Sequence, residues 1–112
     1  MKIIDVESEP IHKNPHGVDA RRIYNRDHGQ AIHIELNTGQ SLNKHITPVD
    51  VFFYVLEGTA TVEIGDEIQE VEQDHLVESP AKIPHRVMNI SNSKVRFLVV
   101  KMPRPAEPTK IL

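Results

Sequence analysis

Histidine is the residue type in this chain that is best suited to carry chemistry. The 112-residue sequence holds seven histidines and no cysteine. A neutral imidazole binds first-row divalent metals, and it exchanges protons near neutral pH. The absence of cysteine excludes disulfides, thiolate metal sites and a cysteine nucleophile. A serine nucleophile is also unsupported, because no base stands at a known motif spacing from Ser41, Ser79, Ser91 or Ser93.

Two of the seven histidines border sequence that should be buried. His45 opens the stretch 45–58, HITPVDVFFYVLEG, and His85 begins a predicted strand after the proline-bounded loop 80–84. The other five lie in predicted turns or on the solvent side of a predicted strand. We expect these five at the surface: His12, His16, His28, His33 and His75.

The strand that follows His45 is the element around which the core should pack. Residues 51–56 are aliphatic or aromatic without a break, and they include two of the three phenylalanines. An unbroken apolar run of this length predicts a strand that is buried on both faces. Residues 31–36 instead alternate between apolar and polar side chains, which predicts a half-buried strand.

Short strands bounded by turn residues recur along the whole chain, about ten in all, and no window has helical periodicity with caps. This pattern predicts an all-β fold, an antiparallel sandwich or barrel. The length favours a single domain over residues 1–112, with its core in residues 31–102. We expect an edge strand within residues 1–10 and a proline-rich surface arm over residues 103–112.

The charge balance argues against large polyanionic partners. The formal net charge is −3, and acidic and basic residues are interspersed. Neither nucleic acid nor a membrane surface is therefore expected as a partner. The first ten residues lack the apolar core of a signal peptide, so a cytoplasmic protein is expected. The late basic residues Arg86, Arg96, Lys101 and Arg104 are read as solvated surface.

Two stretches of this sequence resemble the two motifs of the cupin superfamily. Gly39, His45 and Gly58 fall at the spacing of the first cupin motif, and His85 and Asn89 stand in register with the second. The resemblance covers roughly residues 39–89. It implies a small RmlC-like jelly roll, also called a double-stranded β-helix barrel.

The metal-ligand pattern of that family is incomplete here. Metal-binding cupins use three histidines and one glutamate, and His45 and His85 match two of these four positions. Thr47 stands at the second histidine position and Val51 at the glutamate position. Lys82 also replaces a glycine of the second motif. The resemblance therefore implies a degenerate metal site.

A third ligand could restore metal binding. Asp50 is one residue from the glutamate position, and Glu78 and His75 are further candidates. Together with the two histidines, one carboxylate would form a set suited to a single divalent transition metal: Zn, Fe, Mn or Ni. The alternative is that Asp50 serves only the turn that it occupies, and that no metal binds.

Strand parity predicts the lining of a ligand pocket at the mouth of the barrel. We expect the two histidines to be joined there by five side chains: Thr47, Val51, Phe53, Val55 and Val87. Acid–base catalysis by the histidines, as in isomerase cupins, would need a second acid. Tyr54 lies on the opposite strand face from Phe53 and does not offer one.

Three functions are compatible with these residues. The leading hypothesis is a cupin-like protein that binds a small molecule and carries a degenerate metal site. The alternative is a metal-dependent cupin enzyme, a dioxygenase, isomerase or decarboxylase, that uses His45, His85 and a carboxylate. A sensing or interaction module that has lost chemistry is the third. A homodimer is expected in each case, because a small jelly roll leaves edge strands that a second copy can cover.

Overall fold

The computed structural model describes residues 1–112 and contains ten strands and one short helical turn. No helix in this chain has the length and hydrophobicity to cross a bilayer. The strands are β1 (Asp19–Arg26), β2 (Gly29–Leu36), β3 (His45–Ile46), β4 (Asp50–Glu57), β5 (Ala60–Ile64), β6 (Glu67–Val71), β7 (Leu76–Ser79), β8 (His85–Met88), β9 (Val95–Met102) and β10 (Lys110–Ile111).

The strands form two antiparallel five-stranded sheets that face each other across one core. The strand order is β1-β2-β9-β4-β7 in one sheet and β10-β3-β8-β5-β6 in the other. Consecutive strands repeatedly fall in opposite sheets, as they do in a jelly roll. The prediction of an all-β fold is therefore confirmed.

The strand β4 contributes one face to the core rather than two. Val51, Phe53 and Val55 are buried, whereas the side chains between them are only half-buried. The prediction of burial on both faces is wrong because the second sheet covers one side of β4 only. The most central strand of its sheet is β9, which pairs with both β2 and β4.

The chain termini differ most from the prediction. The expected edge strand within residues 1–10 is absent, and Val6–Ser8 form a single 3₁₀ turn. The Arg21 guanidinium donates hydrogen bonds to three carbonyls of this segment, at 2.9 to 3.3 Å. These carbonyls are therefore satisfied by a side chain instead of a strand ladder.

The C-terminal arm is not wholly outside the sheets. After the last proline, Lys110 and Ile111 pair with Ile46 and His45 of β3. Proline lacks the donor that a ladder needs, but these residues follow Pro108 and are free to pair. The arm thereby covers the edge of the sheet at the strand that carries His45.

Six positions have a left-handed backbone, and two of them bear directly on the packing of the strands. Gly58 has φ +80°, and a Cβ there would clash with the Lys94 carbonyl oxygen, so only glycine fits. Lys82 has φ 67° although it is not a glycine. Its N–H donates to the Thr47 carbonyl at 2.9 Å, which fastens the loop before β8 to the end of β3.

Candidate functional site

The two motif histidines meet inside the barrel. β3 pairs with β8 so that His45 lies directly opposite His85. Their Nε2 atoms are 3.0 Å apart, and their rings meet edge to face with centroids separated by 4.4 Å. His85 is 1% exposed and His45 is 6% exposed, so the contact is shielded from water.

A directed chain of hydrogen bonds fixes the tautomers of this pair. The Asn43 carbonyl accepts a bond from His45 Nδ1–H at 2.6 Å, which leaves His45 Nε2 as an acceptor. His85 Nε2–H therefore donates to it, and lies 3.2 Å from the Thr47 hydroxyl. His85 Nδ1 then accepts from the Ser79 hydroxyl at 2.6 Å. Each ring is neutral and each ring nitrogen has a partner.

Burial keeps this pair neutral. It lowers the pKa of His85 to about 3, with the neighbouring charges of His45, Lys101 and His16 acting in the same direction. Burial also lowers the pKa of His45. The hydrogen bond to the Asn43 carbonyl raises it, but by less. The imidazoles are therefore not poised to exchange protons at neutral pH, as general acid–base catalysis would require.

Ser79 contacts His85 even though sequence spacing gave no sign of a serine–histidine pair. Its hydroxyl lies at the end of β7, on the inward face, and the residue is 1% exposed. Ser79 does not line the cavity described below. Its position suits it to orient the His85 ring rather than to attack a substrate.

A third histidine joins the pair and was missed by sequence reasoning. The His16 ring packs on the His45 ring with centroids 4.7 Å apart, and the Asn43 N–H donates to His16 Nδ1 at 2.8 Å. Burial lowers the pKa of His16 to about 4, with the charges of His45 and Lys101 adding to the shift. The expectation that His16 is a solvated turn residue is therefore wrong.

The turn that carries His16 is built by Asn14. Its side-chain oxygen accepts from the His16 and Val18 N–H groups, and its amide donates to the His12 and Val18 carbonyls. The Asn-Pro-His-Gly sequence is a recognisable turn. Only the tertiary contact reveals that the turn folds inward over β3.

Two further histidines are less exposed than expected. His33 is 3% exposed, and its Nε2 accepts from the Arg96 guanidinium at 3.1 Å. His12 is half-buried, and its buried Nδ1 has no hydrogen-bond partner. Only His28 and His75 are exposed as predicted.

A cavity of about 110 Å³ lies between the sheets, beside His45. Its walls combine aliphatic and aromatic side chains with a few polar ones. The apolar lining comprises Ala20, Ile32, Ile34, Leu42, Phe53, Val99 and Pro15, and the polar lining comprises His12, Asn14, His16, His45, Lys101 and Thr109.

Of the five predicted lining residues, only Phe53 borders this cavity. The other four are at most 4% exposed and do not line it: Thr47, Val51, Val55 and Val87. Val51 instead borders the separate pocket beside Asp50. Parity placed them correctly on the inward face, but the inward face of a filled barrel is mostly core. The space lies closer to β1, β2 and the N-terminal turn, which sequence parity did not locate.

Lys101 is the charged residue that the sequence analysis misplaced. It follows Val95, Phe97 and Val99 on the inward face of β9, and it lines the cavity. Burial lowers the pKa of its ammonium, and the charge of Arg22 adds to that shift. The interpretation of Lys101 as solvated surface is wrong, and strand parity alone would have revealed it.

The donor set does not fit the metal site of the complete motif. No group of three or more histidine, aspartate or glutamate side chains is placed to hold an ion. Asp50 accepts a hydrogen bond from the Ala81 N–H at 2.9 Å, as a turn carboxylate does. Glu78 is exposed and lines a separate pocket with Asp50, while His75 is exposed and bonded to backbone carbonyls. None of these three lies at the His45–His85 pair.

Comparison with known proteins agrees with this fold. The family model for the cupin domain matches residues 32–101. MJ0764 of Methanocaldococcus jannaschii is 28% identical over 85 residues, which are 75% of this chain and 73% of that protein. Its crystal structure, an RmlC-like cupin with a double-stranded β-helix fold, has a TM-score of 0.75 and 23% identity, covering 93% of this chain and 95% of that one. The predicted double-stranded β-helix is confirmed.

Two further solved structures are similar over nearly the whole chain. TT1209 from Thermus thermophilus is 29% identical with a TM-score of 0.80, covering 94% of this chain and 100% of that one. The polyketide cyclase RemF from Streptomyces resistomycificus is 21% identical with a TM-score of 0.84, covering 100% of this chain and 85% of that one. At that identity, the similarity to RemF concerns the fold alone.

Proposed function

Because this chain belongs to the cupin family, we propose that it binds a small molecule in the cavity between its two sheets, next to a degenerate metal site. The observation that carries the proposal is the cavity itself. Most of its wall area is apolar, and six of its thirteen lining residues are polar and converge on it from different elements. Small-molecule sites in proteins have this composition.

The His45–His85 pair is the remnant of the metal site in this proposal. Two imidazoles fall short of the three or more protein ligands that a first-row divalent ion needs. The two Nε2 atoms satisfy each other through one proton, so a metal would have to displace that hydrogen bond. Thr47 supports the arrangement, because its hydroxyl lies within 3.2 Å of His85 Nε2.

The metal-dependent enzyme is the alternative that must be tested against this proposal. Elemental analysis of untagged protein measures bound Zn, Fe, Mn and Ni directly. We expect substoichiometric metal and a melting temperature that does not respond to these ions. A near-stoichiometric metal that is lost in both His45→Ala and His85→Ala would overturn the degenerate site and favour the enzyme. A bound ion at a hundred times its dissociation constant would stabilise the fold by about 2.7 kcal/mol.

Ligand binding in the cavity is tested by filling it. Ala20 is 3% exposed and lines the cavity, so Ala20→Leu adds three carbon atoms to that space. The matched control is Ala31→Leu, because Ala31 lies in β2 outside the cavity and is half-buried. A small-fragment library is screened against each protein by amide NMR shifts.

The proposal expects fragments that shift amides around the cavity in the wild type and in Ala31→Leu. Those shifts should be lost in Ala20→Leu if that variant is folded, which its own amide spectrum establishes. Fragments that bind Ala20→Leu unchanged, or that shift only amides away from the cavity, would contradict the proposal. If Ala20→Leu does not fold, a crystal of the wild type soaked in the same fragments locates them.

A further inference from the structure

Lys101 brings an unpaired positive charge to the cavity. It is the last residue on the inward face of β9 to reach this space, after the buried Phe97 and Val99. No carboxylate lies within ion-pair distance of its ammonium, and the ammonium takes part in no hydrogen bond. The residue is half-buried, and a partly desolvated ammonium beside an apolar wall gains from an anionic partner.

Arg22 adds positive potential to the surroundings of Lys101, and no carboxylate compensates it. Burial lowers the pKa of His12, and the charges of Arg22 and Lys101 lower it further. Arg22 itself forms no ion pair. Among the charges that act on His12, His16 and Lys101, none is a carboxylate.

Two histidines leave hydrogen-bonding capacity unused at the same cavity. The Nδ1 atom of His12 is buried and has no partner. His16 Nδ1 already accepts from the Asn43 N–H, so its neutral ring carries the proton on Nε2, which has no partner in the structure. Of these two atoms His12 Nδ1 is the buried one, and an unsatisfied buried group at a cavity indicates a missing ligand or water.

We infer that the ligand of this cavity is a small monocarboxylate with a short aliphatic tail. The inference rests on the proposed function and names the chemistry of its ligand. Lys101 binds the carboxylate as its counterion, with His12 and His16 beside it. The tail packs against Phe53, Ile34 and Leu42.

The size of the cavity limits the tail. A dry cavity of about 150 Å³ holds benzene, which has six non-hydrogen atoms. The cavity here is about 110 Å³, and half-buried Lys101 holds the carboxylate at its edge, so that only a tail of one to three carbons has to fit inside. An inorganic phosphate would leave the apolar wall uncovered and bring a second negative charge that one ammonium does not balance.

The test compares butyrate with butyramide, which has nearly the same shape but no charge. Binding is measured by amide NMR titration of the wild type, Lys101→Met and Lys94→Met. Methionine keeps the length of the lysine stem and removes the charge. Lys94 is the matched control because it precedes the other end of β9 and pairs with Glu35 outside the cavity, at 3.6 Å.

We expect butyrate to bind the wild type at least about tenfold more tightly than butyramide. Lys101→Met should abolish this preference, and Lys94→Met should keep it. Lys101→Met should not lower the melting temperature of the ligand-free protein, since Lys101 takes part in no ion pair that the substitution would remove. A lysine with a merely structural role would lower the melting temperature when replaced.

Other outcomes separate this inference from the proposed function. If butyramide binds as tightly as butyrate, the cavity takes small molecules but the inference of an anion is wrong. If butyrate is preferred equally by wild type and Lys101→Met, Lys101 is not its binding residue. If neither compound shifts cavity amides while uncharged fragments do, the proposed function stands and the monocarboxylate is overturned.

Discussion

Acid should destabilise this protein because His85 is held neutral inside the barrel. Burial lowers the pKa of His85 to about 3, from an ordinary value of 6.5. In the unfolded chain His85 takes up a proton as the pH falls through 6.5, whereas in the folded chain it does not. The contribution of neutral His85 to the free energy of unfolding is therefore complete above pH 6.5, and it is lost progressively as the pH falls toward 3.

The size of the effect follows from the difference between the two pKa values. In the acid limit it amounts to roughly 4.8 kcal/mol, at 1.36 kcal/mol for each pKa unit. Between about pH 7 and pH 5 only part of it develops, about 2 kcal/mol. For a domain of this length that loss lowers the melting temperature by about 8 °C. The burial of His16 and His45 also lowers their pKa values from 6.5, which adds to the same trend.

Urea unfolding of metal-free protein at the two pH values measures this loss. His85→Gln removes the titrating ring, and His75→Gln is the matched control because His75 is exposed. The wild type and His75→Gln should lose about 2 kcal/mol more than His85→Gln does between about pH 7 and pH 5. Because the free energy of unfolding of each protein is compared between the two pH values, any packing cost of the substitution cancels.

Equal losses in the wild type and His85→Gln would refute the reasoning. The same holds if the His85 ring protons in an NMR titration of the wild type show a transition near pH 6.5, because the ring would then be accessible to a proton. The NMR titration also decides the question if His85→Gln is too unstable to study.

Three further predictions concern a buried hydrogen bond and two turns, and one concerns assembly. Ser79→Ala should cost about 1–3 kcal/mol in urea unfolding, because it leaves His85 Nδ1 buried without a donor; no loss would mean that water replaces the hydroxyl. Gly58→Ala should cost more than about 2 kcal/mol, because its Cβ would meet the Lys94 carbonyl. Lys82→Gly should raise the free energy of unfolding by up to about 1 kcal/mol through relief of the left-handed backbone, and a loss would contradict this. The homodimer stays a prediction, and light scattering on eluting protein should give twice the mass of one chain.

The sequence was most informative where local pattern and fold coincide. The resemblance to the two cupin motifs implied a jelly roll, and strand parity predicted that His45 and His85 share its mouth; the two histidines lie opposite each other in adjacent strands. Residues alternate between the two faces of a strand, so the face that each histidine occupies could be predicted from its position. Phe53 was placed at the cavity for the same reason.

The parts that the sequence did not predict depend on contacts between distant segments. His16 reaches His45 only because Asn14 folds its turn inward, and no local pattern encodes that packing. The first ten residues fail to form a strand because Arg21 satisfies their carbonyls. Lys101 was different, since the alternation in β9 already indicated an inward lysine.

An anionic ligand would explain both the loss of two metal-ligand positions and the presence of Lys101 at the cavity. A divalent ion in a barrel supplies positive charge to an anionic ligand. In this chain Thr47 and Val51 remove two ligand positions, and the remaining histidines are locked to each other as a neutral pair. If an anion still binds, its counterion must come from elsewhere, and Lys101 is the half-buried cation that lines the cavity. Restoring histidine and glutamate through Thr47→His and Val51→Glu in a Lys101→Met background should then return butyrate binding only when Zn²⁺ or Mn²⁺ is added. Butyrate binding by that variant without metal would contradict the exchange of an ion for a lysine.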